Sequence, residues 1–391
     1  SVKGADNTKK NLLGQMAGAD AIRLIEQKDA DDQAFRAWVA ADAKRQAAYG
    51  PALAKLDALL AAQDKRAVND IHMGQIGRAQ LLSAASTLYR WAKEREKPDA
   101  LREAGYQDRD RTPRSEGLKQ IERRFDAGID RKIMEWALSH YRMVTAGERN
   151  DAMLDKLDAI GLDKLYAETK LADTATRLAW LDKPAAEFEA SSDPFIQLAV
   201  AAYPWSQKRL DEEKEESGKL SDAQRTVMAG RMAFAREQGK PVYPDANSSL
   251  RITYGHVTGR KQDGVTWSAF TTAEGMVAKH TGKGEFDAPD KAVELVKAKD
   301  YGNYVAPELG TLPVNYLTTV DITGGNSGSA TLNAKGELVG LAFDGTLDGV
   351  ISDWRFNPAI NRTIHVDQRY MLWVMEKVDG ATNLLKEMGV K

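Results

Sequence analysis

A glycine-rich turn with a central serine constrains the fold of this chain more than any other stretch. It reads Thr-Gly-Gly-Asn-Ser-Gly-Ser from Thr323 to Ser329, and β-branched apolar residues just before it predict the end of a strand. A second strand is predicted to begin at Leu332, residues 333–336 read as a hairpin turn, and residues 337–343 return as a third strand. The pattern therefore predicts antiparallel β structure that holds a serine on a tight turn.

Ser327 on this turn is the candidate nucleophile. Because glycine tolerates positive φ, the turn can leave the N–H groups of Gly325 and Ser327 free to point at one site beside the hydroxyl. A hydroxyl beside two free N–H groups is what acyl transfer needs, namely a nucleophile and an oxyanion hole. The alternative is a plain loop rich in turn-forming residues, and the hairpin that follows favours the catalytic interpretation.

Several segments that follow the serine turn, in order, resemble the C-terminal end of the S46 dipeptidyl-peptidases, a family of bacterial periplasmic exopeptidases. The resemblance departs from the family pattern at Ala330-Thr331, where Pro-Val is expected, and this change should affect strand packing more than chemistry. The segments that carry the resemblance are Gly324–Ser329, Asp344-Gly345, Ser352–Trp354, Phe356–Pro358, Arg362–Asp367, Arg369–Trp373 and Gly380–Leu385.

We predict an α+β fold with two domains. Apolar residues at helical spacing predict helices through most of the first part of the chain, and the composition changes to alternating, strand-like patterns after Gly239–Asp245. We therefore expect an all-α cap domain, truncated at its N-terminus, over residues 1–243. The resemblance implies that residues 244–391 form a chymotrypsin-like β-barrel, the second of a double barrel, with C-terminal helices.

A serine peptidase also needs a base and a carboxylate that orients it. Among the five histidines only His365, two positions before Asp367, is a candidate base within this chain. The resemblance implies instead that the triad histidine and aspartate precede Ser1, and that His365 is structural. We then expect this chain to carry the nucleophile, to be inactive alone, and to need the N-terminal half of the same protein as a partner.

The predicted substrate pocket lies at the end of the third strand. The resemblance implies that the Asp344 carboxylate receives the free α-amino group of the substrate, whereas the alternative is an ordinary Asp-Gly turn. Gly345 stands where the acidic-specific branch of the family is expected to have arginine. With Thr323, Ile322 and Phe343 it predicts an uncharged pocket and a hydrophobic or aromatic P1 residue, as in the dipeptidyl-peptidase 7 branch.

The favoured function is a serine exopeptidase that releases dipeptides from the free N-terminus of oligopeptides. A chymotrypsin-like endopeptidase and a catalytically inert fragment or binding module are the alternatives. A net charge of −2 gives no electrostatic case for nucleic acid or an anionic membrane, and no apolar run reaches membrane-spanning length. The absence of cysteine excludes disulfides and thiolate metal sites, and we expect no cofactor and no metal.

Localisation and assembly are implied by the resemblance alone. It implies a periplasmic protein and a homodimer. The polar segment Ser1–Asn7 has no signal-peptide pattern and no initiator methionine, so we expect the chain to start within a longer precursor.

Overall fold

The computed structural model describes residues 2–240, 242, 250–262 and 264–390. Contacts divide the chain into two compact units, one of Phe35–Val242 and one that joins Ser1–Ala34 to Tyr243–Lys391. We call them the helical unit and the C-terminal unit. The predicted cap domain of residues 1–243 included the first 34 residues, whereas the contacts group these with the C-terminal unit. The first helix, α1 (Val2–Ala21), therefore belongs with the sheet that carries Ser327.

Ten further α-helices lie in the described part of the helical unit and of the segment that leads into it. They are α2 (Leu24–Ala40), α3 (Ala43–Ile76), α4 (Gln80–Arg95), α5 (Arg111–Gln120), α6 (Ala127–Tyr141), α7 (Asp151–Ile160), α8 (Leu162–Glu168), α9 (Thr174–Ala179), α10 (Ala185–Glu189) and α11 (Pro194–Glu237). In helices such as α4 and α6, apolar residues recur at helical spacing and bury one face.

Buried carboxylates accept hydrogen bonds at both ends of the core helix α4. Asp130 is buried and accepts hydrogen bonds from the N–H of Gln80 at 2.5 Å and from the hydroxyl of Tyr166 at 3.0 Å. Glu94, fully buried near the other end, accepts from Lys97 Nζ at 2.9 Å. Burying a charge is costly unless it is paired, so these contacts offset the burial of Asp130 beside one end of α4 and of Glu94 near the other.

The C-terminal unit is built around a five-stranded antiparallel sheet. Its strands stand in the order β3-β4-β7-β6-β5, which places the short strands β3 and β5 at the two edges. A separate two-stranded ribbon pairs β1 with β2. The strands are β1 (Arg260–Gln262), β2 (Val265–Trp267), β3 (Phe270–Thr272), β4 (Pro313–Thr318), β5 (Ser329–Leu332), β6 (Leu338–Gly345) and β7 (Thr363–Asp367).

The prediction of a closed β-barrel over residues 244–391 is wrong for the part of the chain that the structure describes. The sheet is open, because its edge strands are only three and four residues long and do not pair with each other. Two segments that alternate like strands do not join it. Residues 250–254 form no strand, and Leu347–Asp353 forms a 3-10 helix instead. The broader prediction of an α+β fold is confirmed.

Short helices cover the sheet. Trp373, at the end of one of them, is fully buried with Ala273 and Leu312, and its Nε1 donates to the carbonyl oxygen of Asp300 at 2.9 Å. The helices are α12 (Ala273–Lys279), α13 (Asp290–Lys297), α14 (Gln368–Trp373), which continues as a π-helical turn over Val374–Val378, and α15 (Thr382–Glu387).

Helix α1 lies directly against the 3-10 segment Leu347–Asp353. Gly14 and Gly18, one helical turn apart, allow this approach, because a Cβ at Gly14 would overlap the carbonyl of Leu347 and one at Gly18 would lie 2.6 Å from the carbonyl oxygen of Asp348. The contact brings Asn11 on α1 to the same cavity as the serine turn.

Candidate active site

The serine turn is held in shape by Asn326. The N–H of Asn326 donates to the carbonyl oxygen of Thr323 at 3.2 Å, and the N–H of Thr323 donates to Asn326 Oδ1 at 3.1 Å. Gly325 and Gly328 adopt φ values of +105° and +87°, which favour glycine. These hydrogen bonds and positive φ values explain why the turn needs asparagine at one position and glycine at two others.

Ser327 is exposed at the tip of the turn. Its hydroxyl, like its own N–H and that of Gly325, makes no hydrogen bond to any residue within the described ranges. The N–H of Gly328 donates to the carbonyl oxygen of Ala342 at 2.7 Å and ties the turn to β6. The turn therefore presents one hydroxyl and two N–H groups that remain available to a substrate, as an oxyanion hole requires.

A cavity of about 210 Å³ opens beside Ser327 within the C-terminal unit. The structure brings six of the seven predicted site residues to its wall, and Gly325 lies in the adjoining turn. The predicted residues that line it are Ile322, Thr323, Ser327, Phe343, Asp344 and Gly345. The sequence therefore identified residues that share one cavity, although it did not identify most of the other residues around it.

A β-bulge brings Phe343 and Asp344 to the same cavity. Ala342 pairs with His365 and Asp344 pairs with Ile364, so Phe343 is the extra residue in β6. Successive side chains of a regular strand point to opposite faces, whereas a bulge changes their direction. The Asp344 side chain is exposed and accepts a hydrogen bond from the N–H of Gly345 at 2.8 Å. Its remaining oxygen lone pairs can accept from a bound ammonium group.

Two further carboxylates on the cavity wall were missed by the sequence analysis. Asp353, at the end of the 3-10 segment, accepts a hydrogen bond from the hydroxyl of Thr323 at 2.6 Å. Burial raises the pKa of Asp321, and the negative charge of Asp353 raises it further. The sequence analysis assigned neither residue to the site, because the two are distant in the chain and no local pattern places them together.

Among the described residues that line this cavity, Arg362 is the one with a cationic side chain. Its guanidinium donates to the carbonyl oxygens of Gly259, Pro358 and Asn361, at 3.0, 2.7 and 2.7 Å. Burial lowers the pKa of Arg362, and the neighbouring charge of Arg260 lowers it further. Three carboxylates thus share the cavity with one guanidinium that is already satisfied by backbone oxygens.

His365 does not reach the cavity. It is 1% exposed and lies between Thr318 and Thr331, whose hydroxyl oxygens are each 2.8 Å from one of its ring nitrogens. Its ring stacks on Tyr316 with centroids 4.8 Å apart, and burial lowers the pKa of His365 to about 4. These contacts support the structural interpretation of His365 rather than its use as the base for Ser327.

Two further observations concern metals and membranes. Within the described ranges, no three histidine, aspartate or glutamate side chains stand together as a metal site would require. The helices in the same ranges are all too short or too polar to cross a membrane.

Comparison with known proteins gives one family across the chain. The model for the family described as Peptidase S46 matches residues 1–390. The Asp/Glu-specific dipeptidyl-peptidase of Shewanella putrefaciens is 39% identical over 412 residues, covering 98% of this chain and 56% of that protein. Dipeptidyl-peptidase 7 of Capnocytophaga gingivalis is 46% identical over 154 residues, 38% of this chain and 21% of that protein.

Solved structures show the same fold. The DPP11 of Porphyromonas endodontalis, in complex with the dipeptide Arg-Glu, aligns with a TM-score of 0.74 at 24% identity, over 97% of this chain and 55% of that one. The chain therefore spans about half the length of the relatives it matches.

The predicted preference for a hydrophobic or aromatic P1 residue is contradicted by these comparisons. One relative that aligns with 98% of this chain, at 39% identity, is named as specific for Asp and Glu. The prediction rested on the absence of a charge at Gly345. One uncharged position does not set the character of a cavity whose wall also includes Asp321, Asp353 and Arg362.

Proposed function

Since the chain belongs to the peptidase S46 family, we propose that it supplies the nucleophile and part of the substrate pocket of a serine dipeptidyl-peptidase. The proposed enzyme releases dipeptides from the free N-terminus of oligopeptides. The observation that carries the proposal is the position of Ser327 and Asp344 on the wall of one cavity. A nucleophile and an anchor for the substrate ammonium in one small cavity are what an exopeptidase needs.

The proposed reaction is acyl transfer to Ser327. The Ser327 hydroxyl attacks the carbonyl carbon of the second substrate residue, and the N–H groups of Gly325 and Ser327 stabilise the oxyanion that develops. The peptide C–N bond then breaks, and water releases the dipeptide from the serine ester. Asp344 binds the α-ammonium group by a charge-assisted hydrogen bond, so that cleavage occurs after the second residue.

The base that activates Ser327 is proposed to come from outside this chain. None of the histidines in the described ranges forms a hydrogen bond with Ser327, and the family relatives are about twice as long. We therefore propose that the triad histidine and aspartate come from the N-terminal half of the same protein. We also propose that the helical unit acts as a cap domain, that the protein forms a homodimer and that it is periplasmic.

The substrate panel should begin with acidic P1 residues. We extend to this chain the Asp/Glu specificity that is named for its relative, and oligopeptides with Asp or Glu in second position are the proposed substrates. This acidic P1 preference replaces the hydrophobic or aromatic preference that was predicted from Gly345.

The test uses the full-length gene product that contains this chain, with fluorogenic dipeptides that carry a free or an acetylated amino terminus. We expect cleavage only of the free form, and loss of cleavage in Ser327→Ala. Equal cleavage of the acetylated form would instead indicate the endopeptidase. The isolated chain should be inactive, and turnover that is lost on His365→Ala would contradict the external base.

A further inference from the structure

Asp321 is a cavity-lining carboxylate with no hydrogen-bond donor in the described ranges. It precedes the serine turn on the same segment and is partly buried. The other two carboxylates on this wall each have a donor: Asp353 accepts from the hydroxyl of Thr323, and Asp344 accepts from the N–H of Gly345. Asp321 is therefore the carboxylate whose interactions a bound substrate can most readily change.

The charged groups around the cavity do not neutralise Asp321. Asp353 faces it from the 3-10 segment and Asp344 lines the cavity from β6, and both are acidic. Arg362, just before β7, already donates to three backbone carbonyls. Helix α1 contributes only the uncharged Asn11 to this wall. An anionic group of a substrate placed in this cavity would therefore be repelled by the net negative charge of its wall.

We propose that Asp321 is a specificity-determining residue with which this pocket reads the charge of the P1 side chain. The ionised carboxylate repels an anionic P1 side chain and tolerates its neutral isostere. When Asp321 takes a proton from solvent, its O–H donates a hydrogen bond to the P1 carboxylate, and the same pocket accepts Asp or Glu. The inference rests on the proposed function, because it assigns the P1 side chain to the cavity beside Ser327.

The physical reason is the opposite effect of the two protonation states on one bound carboxylate. Like charges in a partly desolvated site are strongly unfavourable, whereas an O–H···O⁻ hydrogen bond is among the stronger hydrogen bonds. Burial and Asp353 both raise the pKa of Asp321, so its protonated form persists to higher pH than in a solvated aspartate. The preference for an acidic P1 residue should therefore strengthen as pH falls.

The experiment compares two isosteric substrates, with Glu or Gln at P1, in the full-length gene product from pH 5 to 8. The ratio of their kcat/KM values cancels the pH dependence of the catalytic groups. In the wild type we expect the Glu:Gln ratio to rise as pH falls, by at most about tenfold per pH unit. In Asp321→Asn, an isostere that stays neutral, we expect a ratio that is independent of pH and about tenfold or more above wild type at pH 8.

Matched variants separate Asp321 from its neighbour. Burial still raises the pKa of Asp321 in Asp353→Asn, but the contribution of the Asp353 charge is removed, so the ratio should still depend on pH but rise only at lower pH. Asp321→Ser gives a second neutral variant if Asp321→Asn folds poorly, with folding checked by thermal unfolding. Calorimetry with the product dipeptides that have Glu or Gln in second position gives the corresponding ratio of dissociation constants, without turnover.

Two outcomes would overturn the inference. One is a Glu:Gln ratio in Asp321→Asn that follows the wild-type pH profile. The other is loss of the pH dependence in Asp353→Asn but not in Asp321→Asn, which would make Asp353 the sensor. Failure of the proposed function is recognised separately, by activity that survives Ser327→Ala or that needs no free amino terminus.

Discussion

The hydroxyl of Thr323 donates to Asp353 Oδ1 at 2.6 Å, and this bond joins the turn that carries Ser327 to the 3-10 segment that lines the same cavity. The N–H of Thr323 also donates to the side chain of Asn326. One threonine thus links the shape of the nucleophile turn to the position of a cavity carboxylate. Both ends of the link lie on the wall of the proposed substrate site.

Thr323→Val should lower kcat/KM of the full-length enzyme by about 5- to 30-fold, because a hydrogen bond to a charged group contributes roughly 1–2 kcal/mol even when partly exposed. Valine keeps the shape and removes the donor. Steady-state kinetics with one acidic dipeptidyl substrate measures the change. Thr281→Val, at an exposed threonine that bonds only within its own loop, is the matched control and should have no effect.

Ser327→Ala should abolish turnover and leave thermal unfolding unchanged. Ser327 is exposed and its hydroxyl forms no hydrogen bond within the described ranges, so its removal costs no packing and no hydrogen bond of the fold. Ser329→Ala, two positions along the same segment, is the control and should remain active. Residual activity of Ser327→Ala at the wild-type level would place the nucleophile elsewhere.

Asp344→Asn should reduce kcat/KM about 30- to 1000-fold, because it removes the charge opposite the substrate ammonium in a partly desolvated site. The loss should be equal for substrates with different P1 residues, since the contact lies at the other end of the dipeptide. Substrates with Glu or Gln at P1, each with a free and an acetylated amino terminus, test this. A changed P1 ranking with an unchanged need for a free amino group would show that Asp344 contacts the P1 side chain instead.

His365→Gln should reduce the amount by which the free energy of unfolding falls between pH 6.5 and pH 4. Burial lowers the pKa of His365 to about 4, so the unfolded chain binds more protons than the folded one below the ordinary histidine pKa of 6.5. The neutral histidine therefore stabilises the fold above pH 6.5, and this contribution, up to about 3 kcal/mol, is lost as pH falls from 6.5 to 4. Urea unfolding of wild type and variant across this range measures the slope. Equal slopes would show that another group controls acid stability.

Gly340→Ala should destabilise the C-terminal unit by about 1–3 kcal/mol, the usual cost of overpacking a filled site. A Cβ at Gly340 would stand 2.6 Å from the hydroxyl oxygen of Tyr316 and would also overlap the carbonyl of Val366. Gly275→Ala in helix α12 is the control, because its nearest neighbour would be 3.9 Å away. That substitution should be neutral or slightly stabilising, since alanine favours helix. Unfolding midpoints in urea compare the two.

Local packing shows where sequence patterns fall short. The Gly50-Pro51 pair predicts the end of a helix, yet α3 runs through it to Ile76. A proline inside a helix costs about 3 kcal/mol. The apolar residue Leu53 just beyond it is buried against Phe35 and Val227, and such burial can offset the cost. The outcome depends on partners distant in the chain, which no local pattern names.

The sequence by itself determined what depends on neighbouring residues. Turn chemistry requires glycine at Gly325 and Gly328, and the alternation and hairpin after them predict the strands that hold Ser327. Helical spacing likewise predicts a helical unit and an α+β chain. These features follow from backbone preferences and from side-chain periods, and both are written into short stretches of sequence.

Only the tertiary structure decided which distant groups share the cavity. Asp321, Asp353 and Arg362 meet there because the segment after β6 forms a 3-10 helix rather than a strand. Helix α1 reaches the same place because Gly14 and Gly18 allow close contact with that segment. The sheet stays open because its edge strands, β3 and β5, do not pair with each other. Packing sets these relations between residues far apart in sequence, and packing also sets the charge that a substrate meets.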